Sequence, residues 1–314
     1  MIKGDFMNEA VGFGKVILFG EHFVVYGMPA IAAAINDVTT ATVEKADVFQ
    51  LVDNRPETPG YKKKKAGEQV ESTKKILEFM KIDTKAPIKI TLEGNLMAAS
   101  GVGASAASCT AMARALSAYF KLNLSDEKIN EIAYEGEKGY HGTPSGIDNA
   151  CSTFGGLIWY KKNLNGGPNT IDKMKIRQPV EVVVANTGIT SDTKMVVSDI
   201  AQNRKNNPEK FDRIFKTAED LIVDAKKSLE AFDLKRVGEL MNKNHALVQE
   251  MGASCKELDF LVDTALKNGA YGAKLTGTGR GGLMIALTPG KELQERVANE
   301  LKKTGFKVFV TKIG

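Results

Sequence analysis

The sequence is short of cysteine and of long apolar runs, and each shortage narrows its class. Cys109, Cys151 and Cys255 are odd in number and far apart. They offer neither a disulfide framework nor metal-ligand spacing, which points to a reducing compartment. Each is expected as a small core residue rather than a nucleophile. No stretch of eighteen apolar residues occurs, so no membrane span is expected. Met1–Ala10 is mixed and charged, without the apolar core of a secretory signal. A cytoplasmic protein is the expectation. Charge of one sign is also scarce: 43 basic against 38 acidic residues leave +5. With no long basic stripe interleaved with aromatics, nucleic acid is not an expected partner, whereas a small anionic substrate suits the mild excess. There is no Walker loop of the form G-x-x-x-x-G-K-[ST], no internal repeat and no low-complexity tether.

What is present is a 314-residue chain, 43% hydrophobic and 26% charged, the balance of a globular protein of one large or two ordinary domains. Val16–Phe19 reads as a buried strand between Gly14 and Gly20. Ala30 to Ile35 is small and apolar, and Val38 to Val43, rich in Thr and Val, favours a strand. Residues 55–67 read as a loop whose run Lys62–Lys65 is a solvated surface. Glu68 to Met80 is helical, with Val70, Ile76, Leu77 and Met80 for its buried face. Ile88–Leu92 alternates as a strand. Ser125 is expected to cap a helix reaching about Lys138. Phe154 to Tyr160 reads as a glycine-entered strand. A second half begins near Pro179, dividing the chain into 1–180 and 181–314. It opens with a strand over 180–185, continues with helices from Asp192 to about Asn268, and ends on strands around a glycine cluster, a helix over 292–302 and a last strand over 306–311. The mixed order gives an α+β class rather than a regular βαβα array.

Four stretches carry chemistry. Gly101-Val102-Gly103-Ala104-Ser105-Ala106 lies between a strand and an amphipathic helix. A helix N-terminus with free N–H groups behind glycines suits a phosphate, although such a loop is also an ordinary tight turn. Glu137 stands at i+8 from Ile129 and i+4 from Ala133, which turns a carboxylate toward the apolar face. That reads as a salt bridge, as a helix end drifting into solvent, or as a Mg²⁺ ligand. Asp148 enters an apolar segment after a loop containing Pro144, either as an N-cap or as a working carboxylate. Lys15 at the mouth of the first strand, with Glu21 and His22 at its exit, reads in isolation as a strand-end lysine and a packing histidine. Lastly Gly277, Gly279, Gly281 and Gly282 form a loop through which a backbone or ligand can pass closely.

Together these stretches resemble the GHMP small-molecule kinases. GKVILFGEHFVVYG (Gly14–Gly27) is similar to the family's first motif, SGVGASAA (Ser100–Ala107) to its phosphate loop, and KLTGTGRGG (Lys274–Gly282) to its third, glycine-rich motif. Glu137, followed eleven residues later by Asp148 inside HGTPSGIDNACSTFGG, is the most specific piece. The first motif and this stretch have the form seen in the members that phosphorylate mevalonate. The resemblance implies two lobes, an N-terminal one like ribosomal protein S5 domain 2 and a ferredoxin-like C-terminal one. It also implies ATP and Mg²⁺ as cofactors, with mevalonate phosphorylated on its primary hydroxyl to 5-phosphomevalonate. The family is often dimeric, so a homodimer is among the expected assemblies.

Residue by residue, the resemblance makes Ser105 and Glu137 the metal ligands, Asp148 the catalytic acidic residue, and Lys15 its partner beside the reacting oxygen. Glu21, His22 and Thr193 fall on the substrate side. Departures are Ala104 in place of a serine, Met97-Ala98 where proline-led sequence usually opens the loop, Gly12-Phe13 ahead of Gly14, Ser191 where an arginine is common in animal relatives, and Arg280 within the glycine run. Rival readings are a sister kinase acting on phosphomevalonate, homoserine or a sugar, a decarboxylase of the same fold, and a non-catalytic nucleotide-binding regulator. The regulator would be expected to have lost Lys15, Glu137 or Asp148.

Overall fold

The computed structural model describes residues 10–57, 60–97 and 101–314. Three stretches read above lie outside the described residues: Met1–Glu9, residues 58–59 of the lysine-run loop, and Ala98–Ser100 at the mouth of the glycine loop. Two compact units are present, the chain up to Lys15 with Ala34–Gly155, and Val16–Ala33 with Gly156–Gly314. They are not the linear halves 1–180 and 181–314. β1 (Ala10–Phe19) and β2 (Pro29–Lys45) each pass from one unit to the other.

In the first unit, β3 (Gln50–Asp53) runs parallel to β4 (Ile88–Gly94), which is antiparallel to the second half of β2. The helices are α1 (Tyr61–Lys64), α2 (Ala66–Phe79), α3 (Ala104–Tyr119), α4 (Asp126–His141) and α5 (Ile147–Phe154). The alternation of β4 sends Ile88, Ile90 and Leu92 into a core shared with Ile76 and Leu77 of α2, Met112 and Leu116 of α3, and Ile129 and Ile132 of α4. Small residues on every face of α3 allow it to be buried almost all round, which keeps its N-terminus fixed. Ser125 caps α4 as expected, accepting from the Lys128 N–H.

In the second unit, β10 (Lys307–Ile313), β7 (Val180–Asn186), β9 (Leu283–Leu287) and β8 (Gly272–Thr276) form a run of antiparallel pairs. β5 (Leu157–Lys161) pairs with β6 (Thr170–Met174) and with residues 29–33 of β2. α6 (Thr193–Asn206), α7 (Pro208–Glu230), α8 (Leu234–Glu250), α9 (Lys256–Lys267) and α10 (Lys291–Lys303) complete it. Its core brings Val183, Ile200, Phe211, Leu258, Leu261, Met284 and Leu301 together.

The α+β class holds. Several local expectations do not. The two apolar stretches 30–35 and 38–43 are one continuous strand, and β1 starts six residues ahead of Val16. β6 was not expected, because Asp172 and Lys173 interrupt its only apolar residues, Ile171 and Met174. Val70 is 64% exposed, since α2 buries Ser72, Thr73, Ile76 and Leu77 instead. α4 ends at His141, where Gly142 takes a positive φ, ahead of Pro144.

Candidate active site

In the first unit, four chain segments converge. β1 delivers Lys15, and its backbone N–H donates to the Val102 carbonyl at 2.8 Å, pinning the glycine loop to the strand. Gly103, the N-cap of α3, has φ 73°, and a Cβ there would fall 2.9 Å from Lys15 Cγ. The glycine is therefore needed to let the lysine stem pass, in addition to any role beside a phosphate. Lys15 is almost fully buried, and its Nζ lies 3.0 Å from Asp148 Oδ1.

Asp148 is in the first turn of α5. Gly146 is the N-cap, so the capping alternative for Asp148 falls away. Its carboxylate is left for Lys15 and for whatever occupies the site, and 30% of its side chain is exposed. Gly101, Val102, Gly103, Ala104, Ser105 and Ala106 form the loop and first turn of α3, whose N–H groups have no intrahelical partners.

Glu137 continues the Ile129–Ala133 stripe of α4 and is 1% exposed. One of its oxygens, Oε1, has no hydrogen-bond partner. Burial and the nearby Asp148 carboxylate push its pKa up to about 8, against the Ser105 hydroxyl bond and the Lys15 charge. His141, one turn on, approaches Ser105 Oγ at 3.3 Å and Glu137 Oε2 at 3.8 Å. A carboxylate oxygen, a hydroxyl and a nearby lysine–carboxylate pair make a hard-oxygen donor set. Among the described residues no group of three His, Cys, Asp or Glu is placed to hold a metal. The residues thus fit a cation that takes one or two protein oxygens and completes its shell elsewhere, as Mg²⁺ does.

The second unit gathers the remaining predicted residues. Glu21 is 1% exposed, and its carboxylate meets Lys274 Nζ on one oxygen and Asn244 Nδ2, at 3.2 Å, on the other. Lys274, fully buried in β8, also donates to the Leu275 carbonyl at 2.6 Å. Burial lowers its pKa, with Glu21 opposing. Glu21 is therefore part of the interior.

His22 adopts φ 64°, uncommon for a side-chain-bearing residue, and its Nε2 has no partner. Burial brings its pKa down to about 4, opposed by a bond to the Thr278 backbone, so the imidazole is neutral at pH 7. Thr193 opens α6 and shares a 2.8 Å hydroxyl bond with Thr278. Ser191 donates to the Gly279 carbonyl at 2.6 Å.

Gly277, Gly279, Gly281 and Gly282 all have positive φ. At Gly279 a Cβ would stand 2.0 Å from the Ala253 carbonyl oxygen, so this glycine serves close packing, whereas Gly277 and Gly282 face open space. Arg280 fits the glycine run by taking φ 50° itself. Its N–H bonds Ala253, and its guanidinium holds Gly252 and Asp199.

The structure thus unites Lys15, Ser105, Glu137 and Asp148 in one cluster, and Glu21, His22 and Thr193 with the third motif in another. Sequence reasoning missed Lys274 and Asn244 as partners of Glu21. The available signal was a lysine between Ala273 and Leu275 in a strand with no exposed position.

Comparison with known proteins identifies the family. A family model for the GHMP kinases N terminal domain matches residues 71–156, and one for GHMP kinases C terminal matches 225–307. The mevalonate kinase of Pyrococcus horikoshii is 34% identical, with 95% of this chain and 93% of that protein aligned. That of Thermococcus sibiricus is 32% identical over 95% and 94%. The crystal structure of L. major mevalonate kinase in complex with R-mevalonate superposes with a TM-score of 0.93 at 38% identity, covering 98% of this chain and 96% of that one. On these matches, the chain belongs to the mevalonate kinase family of the GHMP kinases.

Proposed function

We propose that the protein transfers the γ-phosphoryl group of ATP to the primary hydroxyl of mevalonate, giving 5-phosphomevalonate and ADP. The observation that carries this reading is the Lys15–Asp148 pair, at 3.0 Å, beside a buried Glu137 with one oxygen unpartnered.

Phosphoryl transfer asks a protein mainly for positioning and charge stabilisation. The N–H groups of Gly101 to Ser105 take the phosphates, with Lys15 packed against the loop through Gly103. Asp148 accepts the proton of the substrate hydroxyl, and the Lys15 ammonium steadies the oxygen as it becomes nucleophilic. Ser105 and Glu137 would hold Mg²⁺, which when bound neutralises charge on the phosphate oxygens. His22, neutral and with Nε2 free, offers a hydrogen bond to the acceptor substrate, and Thr193 a hydroxyl. Glu21 positions His22 through its bonds to Lys274 and Asn244.

An ADP-release assay over mevalonate, phosphomevalonate, homoserine and galactose tests the assignment. Turnover on mevalonate above the other three is expected. Activity on another member of the panel alone would move the protein to a sister reaction, and activity on none would favour a nucleotide-binding regulator.

A further inference from the structure

Arg55 is a cation inside the first unit, 5% exposed. Its guanidinium forks onto Asp53, with Nε 2.9 Å from Oδ1 and Nη2 2.6 Å from Oδ2. The remaining corner, Nη1, donates to the Ala104 carbonyl at 3.0 Å and to the Ser108 hydroxyl, with Thr39 Oγ1 at 3.4 Å. The fork is itself held. Gln69 donates to Asp53 Oδ2 at 2.9 Å, and Lys62 Nζ donates to the Asp53 carbonyl at 2.8 Å and to the Arg55 carbonyl. Lys62 is therefore a strut, half-buried, and not part of a solvated charge run. Bonds and charge from Arg55 overcome burial and keep the Asp53 carboxyl below its usual range.

Ala104 is the first residue of α3. Its carbonyl shares a planar peptide unit with the Ser105 N–H, which points the opposite way. Fixing the oxygen fixes the direction of the N–H. In the first turn that N–H has no intrahelical acceptor and is free for a ligand. The Ser108 hydroxyl reaches the same carbonyl at 2.7 Å. Charged donation to a carbonyl also polarises the peptide, which makes its N–H a better donor.

We propose that Arg55 is a positioning residue for the nucleotide, aiming the Ser105 peptide N–H at the phosphates from behind the loop. This rests on the reading that residues 101–106 take the phosphates of ATP. Asp53 cancels the charge of Arg55, so the effect is one of direction and local polarity rather than long-range attraction.

Arg55→Lys and Arg55→Met separate this from a packing role. Lysine keeps a cation for Asp53, but a single ammonium does not reproduce the fork with a third corner on Ala104. Titration with a Mg²⁺–ATP analogue that is not hydrolysed, together with steady-state kinetics, reads the result. Both variants are expected to bind the analogue and ATP about tenfold more weakly, as for loss of one charge-assisted bond. The KM for mevalonate should stay within about twofold in both variants, measured at a temperature where each is fully folded. Wild-type analogue affinity in Arg55→Lys would overturn the proposal, as would KM values for both substrates rising together with a fall in Tm. Wild-type protein that binds the analogue yet phosphorylates no mevalonate would instead overturn the proposed reaction, leaving Arg55 to be judged by binding alone.

Discussion

Lys274 meets Glu21 in one unit and Lys15 meets Asp148 in the other, yet the surroundings of the two pairs are opposite. Around Lys274 every charge has an answer. Glu21 is shared with Asn244, the ammonium reaches the Leu275 carbonyl, and both side chains are sealed from water. Around Lys15 the accounting is left open. Asp148 is partly exposed, and Glu137 is sealed in with one oxygen unpartnered and a pKa raised to about 8. A satisfied buried pair is part of the architecture, whereas a buried carboxylate without a partner is costly unless something arrives to bind it. The difference separates residues that hold the site from residues that do its chemistry.

The largest effect that sharpens the contrast is on rate. Asp148→Asn is expected to lower kcat about 10²–10⁴-fold, the usual weight of general-base catalysis. ATP affinity should be nearly unchanged, which steady-state kinetics and nucleotide titration would show together. Near-wild-type turnover would remove Asp148 from the mechanism. On the architectural side, Lys274→Met should cost roughly 3–5 kcal/mol in urea unfolding, because Glu21 is left buried without a counter-charge. Lys274→Met combined with Glu21→Gln should recover much of that loss. A double variant no better than the single would mean that the pair is not what Glu21 requires.

The two clusters should also respond oppositely to pH. Burial brings the pKa of His22, and of His245 in α8, whose Nδ1 accepts from the Leu275 N–H at 3.3 Å, from the ordinary 6.5 down to about 4. The unfolded chain then takes up these protons first, so stability falls as pH drops from about 6.5 toward 4, by of order 3 kcal/mol for each histidine. Glu137 has the reverse sign. Its folded pKa is raised from 4.5 to about 8, so without metal its burden grows as pH climbs through that window. Unfolding curves of His245→Asn and Glu137→Gln against pH resolve the two contributions. The same slope change in both variants would contradict the distinction.

Much of the first cluster was legible in the sequence because it is local. The Ile129–Ala133–Glu137 spacing placed a carboxylate on a buried helix face, and the glycine loop before α3 marked a free helix start. What was not legible depends on tertiary packing. From its residues alone Asp148 fits either a cap or a working carboxylate, and only the fold shows that Gly146 takes the N-cap position of α5. Gly103 looked like a phosphate glycine, and its contact with Lys15 arises only when β1 docks on the loop. Lys274 lies 253 residues from Glu21, and no periodicity reports such a pairing. Arg55 sits in a stretch with no distinctive pattern, and its reach to Ala104 spans 49 residues. The two apolar stretches flanking Asn36 merged because β2 is long enough to pass from one unit to the other.

The most direct test is the thermal stability of Glu137→Gln and Glu21→Gln, measured side by side at pH 8 in chelator. Both changes replace a carboxylate that is 1% exposed by its neutral isostere. Opposite signs are expected. Glu137→Gln should be more stable than wild type, by of order 4 kcal/mol from the pKa difference, and Glu21→Gln less stable because Lys274 loses its counter-charge. A fall in stability for both would contradict the claim that Glu137 is held in readiness for a cation while Glu21 is already satisfied.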